Sequence, residues 1–420
     1  MAQIDSLRTE KRFKKTEIGE IPVDWGAMRL SEIGEIITGS TPSTKNRDYY
    51  NGKYMFVTPF DMGDFKYVTK TAIMLSEAGM SVSKSLPRNT VMVTCIASIG
   101  KIAMASAKCC TNQQINSVIC QKSTDSHFVY YVMQTKINTL KALAGQTAVP
   151  IVKKSLFSNI PIPLPSLSEQ KKITEILSTV DQAVEKSNEI IEKTKKLKKG
   201  LIQELLTRGI GHKKFKKTEI GEIPVEWEIV EVRDVCRRPE YGYTQRATDK
   251  SIGPRFLGIT DIQHGRVVWN NVPYCECSDC VKDKYILRPG DILFARTGAT
   301  TGKSYLIKDC PEAVFASYLI RIVTKEKIGC VFLYLVFNSF IYWRQIKQQM
   351  GGSAQGGVNA SLLSNLKIPL PSLSEQNKIA EILSSVNDEI EKEMKQKESL
   401  EILKKGLMKV LLTGKTRVKV

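Results

Sequence analysis

The stretch IPLPSLSEQ at residues 162–170 decides the fold, because the same nine residues return at 368–376, 206 positions on. A second duplicate, FKKTEIGEIPV, stands at 13–23 and again at 215–225, each time followed by an acid and a tryptophan: Asp24-Trp25 and Glu226-Trp227. LKKGL repeats at 197–201 and 403–407. Repeats at this spacing mean two tandem halves with closely similar frames.

Working outward, Pro161, Pro163 and Pro165 at alternate positions force an extended approach and forbid helix there. Ser166 with Glu169, and Ser372 with Glu375, then match a capping box that starts a helix. Downstream the apolar and small residues fall at 3-4 spacing: Ile173, Ile176, Val180, Ala183, Ser187, Ile190, Thr194, Leu197 and Leu201. The spacing predicts a helix over about 167–206, on the order of 60 Å long. The second copy offers Ile379, Ile382, Val386, Leu400, Leu403 and Leu407 with a polar middle. Such stripes need cover. We expect the two helices to pack on each other; the alternative is that each packs on its own globular unit.

The chain ends LLTGKTRVKV, which parallels LLTRGIGHKK at 205–214. It stops where a third repeat would begin. This predicts a closed pseudo-twofold arrangement with antiparallel helices and a globular module at each end. The expected divisions are module 13–160, spacer 161–210, module 215–366 and spacer 367–413. Both modules read as mixed α/β. Strand-like runs lie at 55–58, 91–96 and 115–120, then at 255–262, 291–296 and 318–323; helical stretches lie at 128–144 and 331–349.

Of 420 residues, 62 are Lys or Arg and 43 Asp or Glu, a formal net charge of +19. That excess favours a polyanionic partner, above all nucleic acid. No run of about 18 apolar residues is present, so no membrane partner is expected. The polar N-terminus lacks a signal core, which predicts a cytoplasmic location and reduced thiols for the ten cysteines. Cys275, Cys277 and Cys280 form a C-x-C-x2-C cluster without a fourth partner of suitable spacing, so no metal is expected.

The modules diverge where the frames do not, and their loops carry the binding candidates. In the first, the early loop supplies Ser40, Thr41, Thr44, Lys45 and Arg47, and later positions add Lys101, Gln113 and Gln114. In the second, the set is Tyr243, Thr244, Gln245 and Arg246, then Arg296, Thr297, Thr300, Thr301 and Lys303, then Gln355 and Asn359. Hydroxyl, amide, guanidinium and ammonium groups of this kind reach phosphates and base edges; an ordinary solvated loop is the competing reading. The run GATTGKS at 298–304 is one residue short of a phosphate-binding P-loop. A nucleic-acid-acting enzyme, a P-loop ATPase or nuclease, is therefore the alternative function, but no catalytic constellation emerges.

The duplicated PLPSLSEQ with its helix, GEIPV-x-W, GDILFARTGATTGKS (290–304), GSAQGGVNASLLSNLKIPLP (352–371) and the LLTGK ending together resemble the DNA-specificity subunit of type I restriction–modification systems. The resemblance spans nearly the whole chain. It implies a non-catalytic subunit whose two target-recognition domains each read half of a split double-stranded DNA site, at a gap set by the helices. It also implies docking of two methyltransferase subunits and of restriction subunits. S-adenosylmethionine, ATP and Mg would sit on those partners, and this chain would hold no cofactor.

Overall fold

The computed structural model describes residues 7–9, 12–63, 65–145, 148–263, 265–350 and 357–419. The chain divides into two units, residues 1–188 with 395–420, and residues 189–394. Each duplicated FKKTEIGEIP folds as a two-stranded hairpin, Phe13–Thr16 with Gly19–Pro22 and Phe215–Thr218 with Gly221–Pro224. The proline-rich approach is a strand in both units, as its prolines dictate: Pro161–Leu164 pairs with Gly26–Arg29, and Lys367–Leu370 with Glu228–Glu231.

The first module holds a five-stranded sheet in the order Gly34–Thr38, Ile115–Cys120, Val91–Thr94, Ile102–Ala105, Tyr67–Val68. Beside it lies a three-stranded sheet of Cys109–Thr111, Tyr50–Val57 and Ile73–Leu75. The second module repeats this plan with fewer strands: Glu240–Tyr241, Leu319–Ile322, Ile292–Ala295 and Ser304–Leu306, plus the parallel pair Arg255–Leu257 and Ala313–Phe315. The mixed α/β class expected from the sequence holds.

Two expectations about the modules need correction. The helices expected at 128–144 and 331–349 are each broken in two, as Ser126–Thr135 and Ile137–Leu143, and as Cys330–Phe337 and Phe340–Met350. Side-chain hydroxyls interrupt them: Thr135 Oγ1 donates to the Val132 carbonyl, and Ser339 Oγ donates to Val336 while accepting from Ile341 N. The strand expected over 255–262 stops at Leu257, because the Asp261 carboxylate takes the Gly258 N–H at 2.7 Å and closes a turn.

Each long helix has 39 residues, Leu167–Leu205 and Leu373–Leu411. At 1.5 Å per residue each is about 58 Å long. In the first unit Ile173 and Leu177 join Met408, Leu411 and Leu412 in one cluster with Phe128 and Tyr131 of the module. In the second, Leu205 and Leu206 join Ile379, Leu383, Phe332 and Val336. Within each unit the helix segments run antiparallel, and they cover both each other and the module core. Among the described residues no helix is long and apolar enough to cross a membrane. The chain closes on itself in the first unit, where Leu7–Thr9 pairs with Thr416–Val418.

The seam differs from its predicted register. Ile173, Val180 and Ile379 are buried as expected, and Leu201, Val386, Leu400 and Leu407 are half-buried. The other position of each heptad lies one residue further on. Leu177, Ile191, Leu383 and Ile390 are buried, whereas Ile176 and Ile190 are only half-buried and Ile382, Leu197 and Leu403 are exposed. A 4-3 spacing satisfies the helical repeat as well as 3-4 does, so apolar periodicity alone could not choose. Lys198 and Lys404 fill the shifted positions, packing their stems and bonding at the tip. Lys404 Nζ lies 2.6 Å from Asp181, which also accepts from Tyr131 OH. The equivalent Lys198 Nζ donates to Asn387 at 2.7 Å. Burial lowers the Lys198 pKa from its ordinary value.

The corrected register is tested by truncation. Leu177→Ala should lose about 3 kcal/mol in chemical denaturation, and Leu197→Ala less than about 0.5 kcal/mol. The reverse order would restore the first register.

Candidate nucleic-acid interface

The loops that carry the divergent polar residues meet at one edge of each module. In the first unit they are tied by main-chain bonds. Ser40 N donates to Thr111 O at 2.9 Å, Asn112 N to Val57 O at 3.1 Å, and Cys95 N to Gln114 O at 2.8 Å. Val152 N bonds Cys95 O at 2.8 Å, and Ala97 N bonds Pro150 O at 3.0 Å. In the second unit Tyr243 N donates to Phe315 O at 2.8 Å, Arg296 N to Tyr318 O at 3.0 Å, and Val358 N to Arg296 O at 3.1 Å. Cys95 and Arg296 therefore hold the same place in two copies of one frame.

The turns expected to face a ligand are strand–turn–strand hairpins in both copies. Thr94 pairs with Lys101 through Thr94 N to Lys101 O (3.0 Å), and Ala295 with Lys303 through Ala295 N to Lys303 O (3.0 Å). The GATTGKS run joins the antiparallel strands Ile292–Ala295 and Ser304–Leu306. A phosphate-binding P-loop needs a helix after its turn, so the ATPase alternative loses its one motif. Gly298 and Gly302 both take positive φ, +83° and +80°. At Gly302 a Cβ would meet the Trp343 ring at 3.3 Å, and Tyr342 OH donates to the Gly302 carbonyl at 2.6 Å.

The candidates separate into free and committed groups. Thr41 Oγ1 donates to Gln113 Oε1 at 2.7 Å, so two predicted loops are joined, and both residues are exposed. Thr44, Lys45 and Arg47 are exposed beside them, and Ser40 is half-buried. Lys101 is exposed, with Nζ donating to Pro59 O at 2.8 Å. Gln114 is committed inward, its Oε1 accepting from Asn112. In the second unit Thr244, Gln245, Arg246, Arg296, Thr297 and Lys303 are exposed. Thr300 is half-buried, and Thr301 donates to Gly298 O. Tyr243 is a packing residue, stacked on Tyr285 with centroids 5.6 Å apart. Asn359 caps the helix Ala360–Ser364 by accepting from Leu362 N at 2.8 Å. Gln355 lies outside the described residues.

The corresponding groups differ in charge. The Arg296 guanidinium lies over the Tyr241 ring, 5.0 Å from its centroid, and Tyr241 OH accepts from Ala360 N. Cys95 is buried, and burial pushes its thiol up to about 11, so it is neutral. The turns Thr58-x-x-Asp61 and Gly258-x-x-Asp261 at the same edges escaped the sequence reading. The recurrence of T/G-x-x-D 200 residues apart was the available signal. Among the described residues no group of three His, Cys, Asp or Glu side chains could hold a metal ion.

A family model described as type I restriction modification DNA specificity domain matches residues 22–196 and again 224–401. The chain belongs to that family. It is 31% identical to the type I restriction enzyme MjaVIII specificity subunit of Methanocaldococcus jannaschii, over 100% of this chain and 99% of that protein. The type I restriction enzyme EcoKI specificity subunit of Escherichia coli is 23% identical over 90% of this chain and 85% of its own length. The fold resembles the crystal structure of the type I restriction–modification S subunit from M. genitalium, at TM-score 0.61 and 16% identity, covering 96% and 99% of the two chains. Specificity subunits are non-catalytic, and this chain is a recognition subunit, not an enzyme.

The hairpin tip depends on its glycines. Gly302→Ala should lower thermal stability more than Gly298→Ala, because a new Cβ would meet Trp343 at 3.3 Å, whereas Gly298 has open space. Backbone strain of about 1 kcal/mol is common to both.

Proposed function

We propose that the chain reads a bipartite duplex DNA site, with residues 13–160 and 215–366 each recognising one half and the spans 161–210 and 367–413 setting the gap. The observation that carries this is the repeated recognition edge: one main-chain frame, two different sets of side chains. The net charge of +19 supports contact with a phosphate backbone. The partners are two methyltransferase subunits and the restriction subunits, which dock on the helical spans. S-adenosylmethionine, ATP and Mg belong to those partners, and the working compartment is the cytoplasm.

Methylome sequencing of a host carrying the complex tests the assignment. Exchanging residues 26–160 for those of a relative should alter one half-site and leave the other half and the gap unchanged. Changes in both halves would refute the division of labour. Purified alone, the chain should show no DNA-stimulated ATP hydrolysis; activity lost in Lys303→Ala would revive the enzyme reading.

The spacer is tested separately. Matched heptad insertions in Leu167–Leu205 and Leu373–Leu411 keep the seam in phase. They should change the gap between half-sites and none of the bases read. Altered half-site bases at an unchanged gap would contradict the role.

A further inference from the structure

The turn Thr58–Asp61 stands at the recognition edge of the first module, and its tip, Phe60, is 87% exposed. The turn is pinned at both ends. Asp61 Oδ2 accepts from Thr58 N and Thr58 Oγ1, both at 2.8 Å, and Asp61 Oδ1 accepts from Ala72 N at 2.8 Å. Lys101 Nζ holds the Pro59 carbonyl at 2.8 Å. A phenyl ring is thus presented to water by a backbone with little freedom left. Ordering it on a ligand carries little further entropy loss.

The second module has the same turn with a different tip. Gly258 N donates to Asp261 Oδ2 at 2.7 Å, and Asp261 N to Gly258 O at 3.3 Å. The residue matching Phe60 is Thr260, also exposed. The scaffold is shared and the side chain is not, the same pattern as at Cys95 and Arg296. The surroundings of Phe60 say what covers it. Lys101 is fixed beside the tip, and the exposed Thr41–Gln113 pair follows the strand end at Asn112, which bonds Val57 next to the turn. Cationic and polar neighbours suit a polyanion with flat apolar faces inside, which is duplex DNA.

We propose that Phe60 is a base-stacking wedge: its ring enters one base step of the first half-site and partly unstacks it. Steps that open easily are then favoured at that position, a selectivity Thr260 cannot supply in the other half. This rests on the DNA-recognition reading above.

The test uses the chain reconstituted with its methyltransferase subunits. The probe is a duplex carrying the mapped site, with 2-aminopurine at successive positions of the half-site that exchange of 26–160 alters. The parent complex should raise fluorescence at one step. Phe60→Ala should abolish that rise and weaken binding on the order of tenfold, the usual effect of losing one base–aromatic stack; Phe60→Trp should retain both. Parental affinity and an unchanged fluorescence profile in Phe60→Ala would overturn the wedge alone. Loss of assembly with the methyltransferase subunits in Phe60→Ala would also overturn it, making the ring a protein contact. A parent complex that fails to separate the site from a scrambled duplex would overturn the recognition reading and the wedge with it. Phe60 is exposed, so the variant's thermal unfolding should match the parent's.

Discussion

A carboxylate accepting from an indole N–H, buried at Glu169 and half-buried at Glu375, holds each half of this chain together. Glu169 is 2% exposed and accepts from Trp25 Nε1 at 3.1 Å; Glu375 accepts from Trp227 Nε1 at 2.9 Å. Sequence predicts these glutamates as reciprocal caps of their own helices. Only half of each box forms, with Ser166 and Ser372 accepting from Glu169 N and Glu375 N. The carboxylates are turned away to the tryptophans instead. A carboxylate removed from water needs full pairing, and losing one partner costs about 3–5 kcal/mol. Arg417 supplies it in the first unit, at 2.6 Å, and also grips Asp24 at 2.8 Å. That grip lowers the Asp24 pKa from its ordinary value, and the bonds to Glu169 first and Asp24 second raise that of Arg417. In the second unit His212 and the Ile210 N–H take the same role, at 3.0 and 2.8 Å from Glu375.

The adjacent glutamine extends the clamp to the module. Gln170 Nε2 donates to Pro165 O at 2.9 Å while its Oε1 accepts from Asp125 N at 2.8 Å. Gln376 repeats this with Pro371 O and Gly329 N, both at 2.9 Å. Asp125 and Gly329 are the N-caps of the helices Ser126–Thr135 and Cys330–Phe337 of their modules. The dipeptide Glu-Gln thus joins four things at once: the hairpin with its tryptophan, the proline strand, the long helix and the module. That explains in physical terms why nine residues stand unchanged in both copies.

Much of this architecture was legible because it is written twice. The extended proline strands, the helix start at 167 and the two mixed α/β modules follow from repeats and local rules. The seam register did not follow, since Leu177 and Ile176 are equally apolar and only tertiary contact decides between them. The breaks at Lys136 and Asn338 escaped because apolar spacing continues across them. At the edge, sequence identified polar loops but not their internal commitments. Gln114 and Asn359 are spent on holding loops, Tyr243 on packing, and Arg296 lies over the Tyr241 ring.

The separation of frame from edge has a thermodynamic basis. Frame residues such as Glu169 and Gln376 are buried and multiply bonded, so almost any replacement leaves an unsatisfied group. Edge residues such as Thr41, Arg296 and Thr260 hang from loops whose conformation is set by main-chain bonds, not by the side chains themselves. Exposed substitutions of that kind change stability by only about 0.5 kcal/mol. The exposed edge can therefore vary with little effect on folding, while the frame that positions it cannot. A buried neutral thiol at Cys95 and an exposed guanidinium at Arg296, held by equivalent main-chain bonds, are that freedom already used.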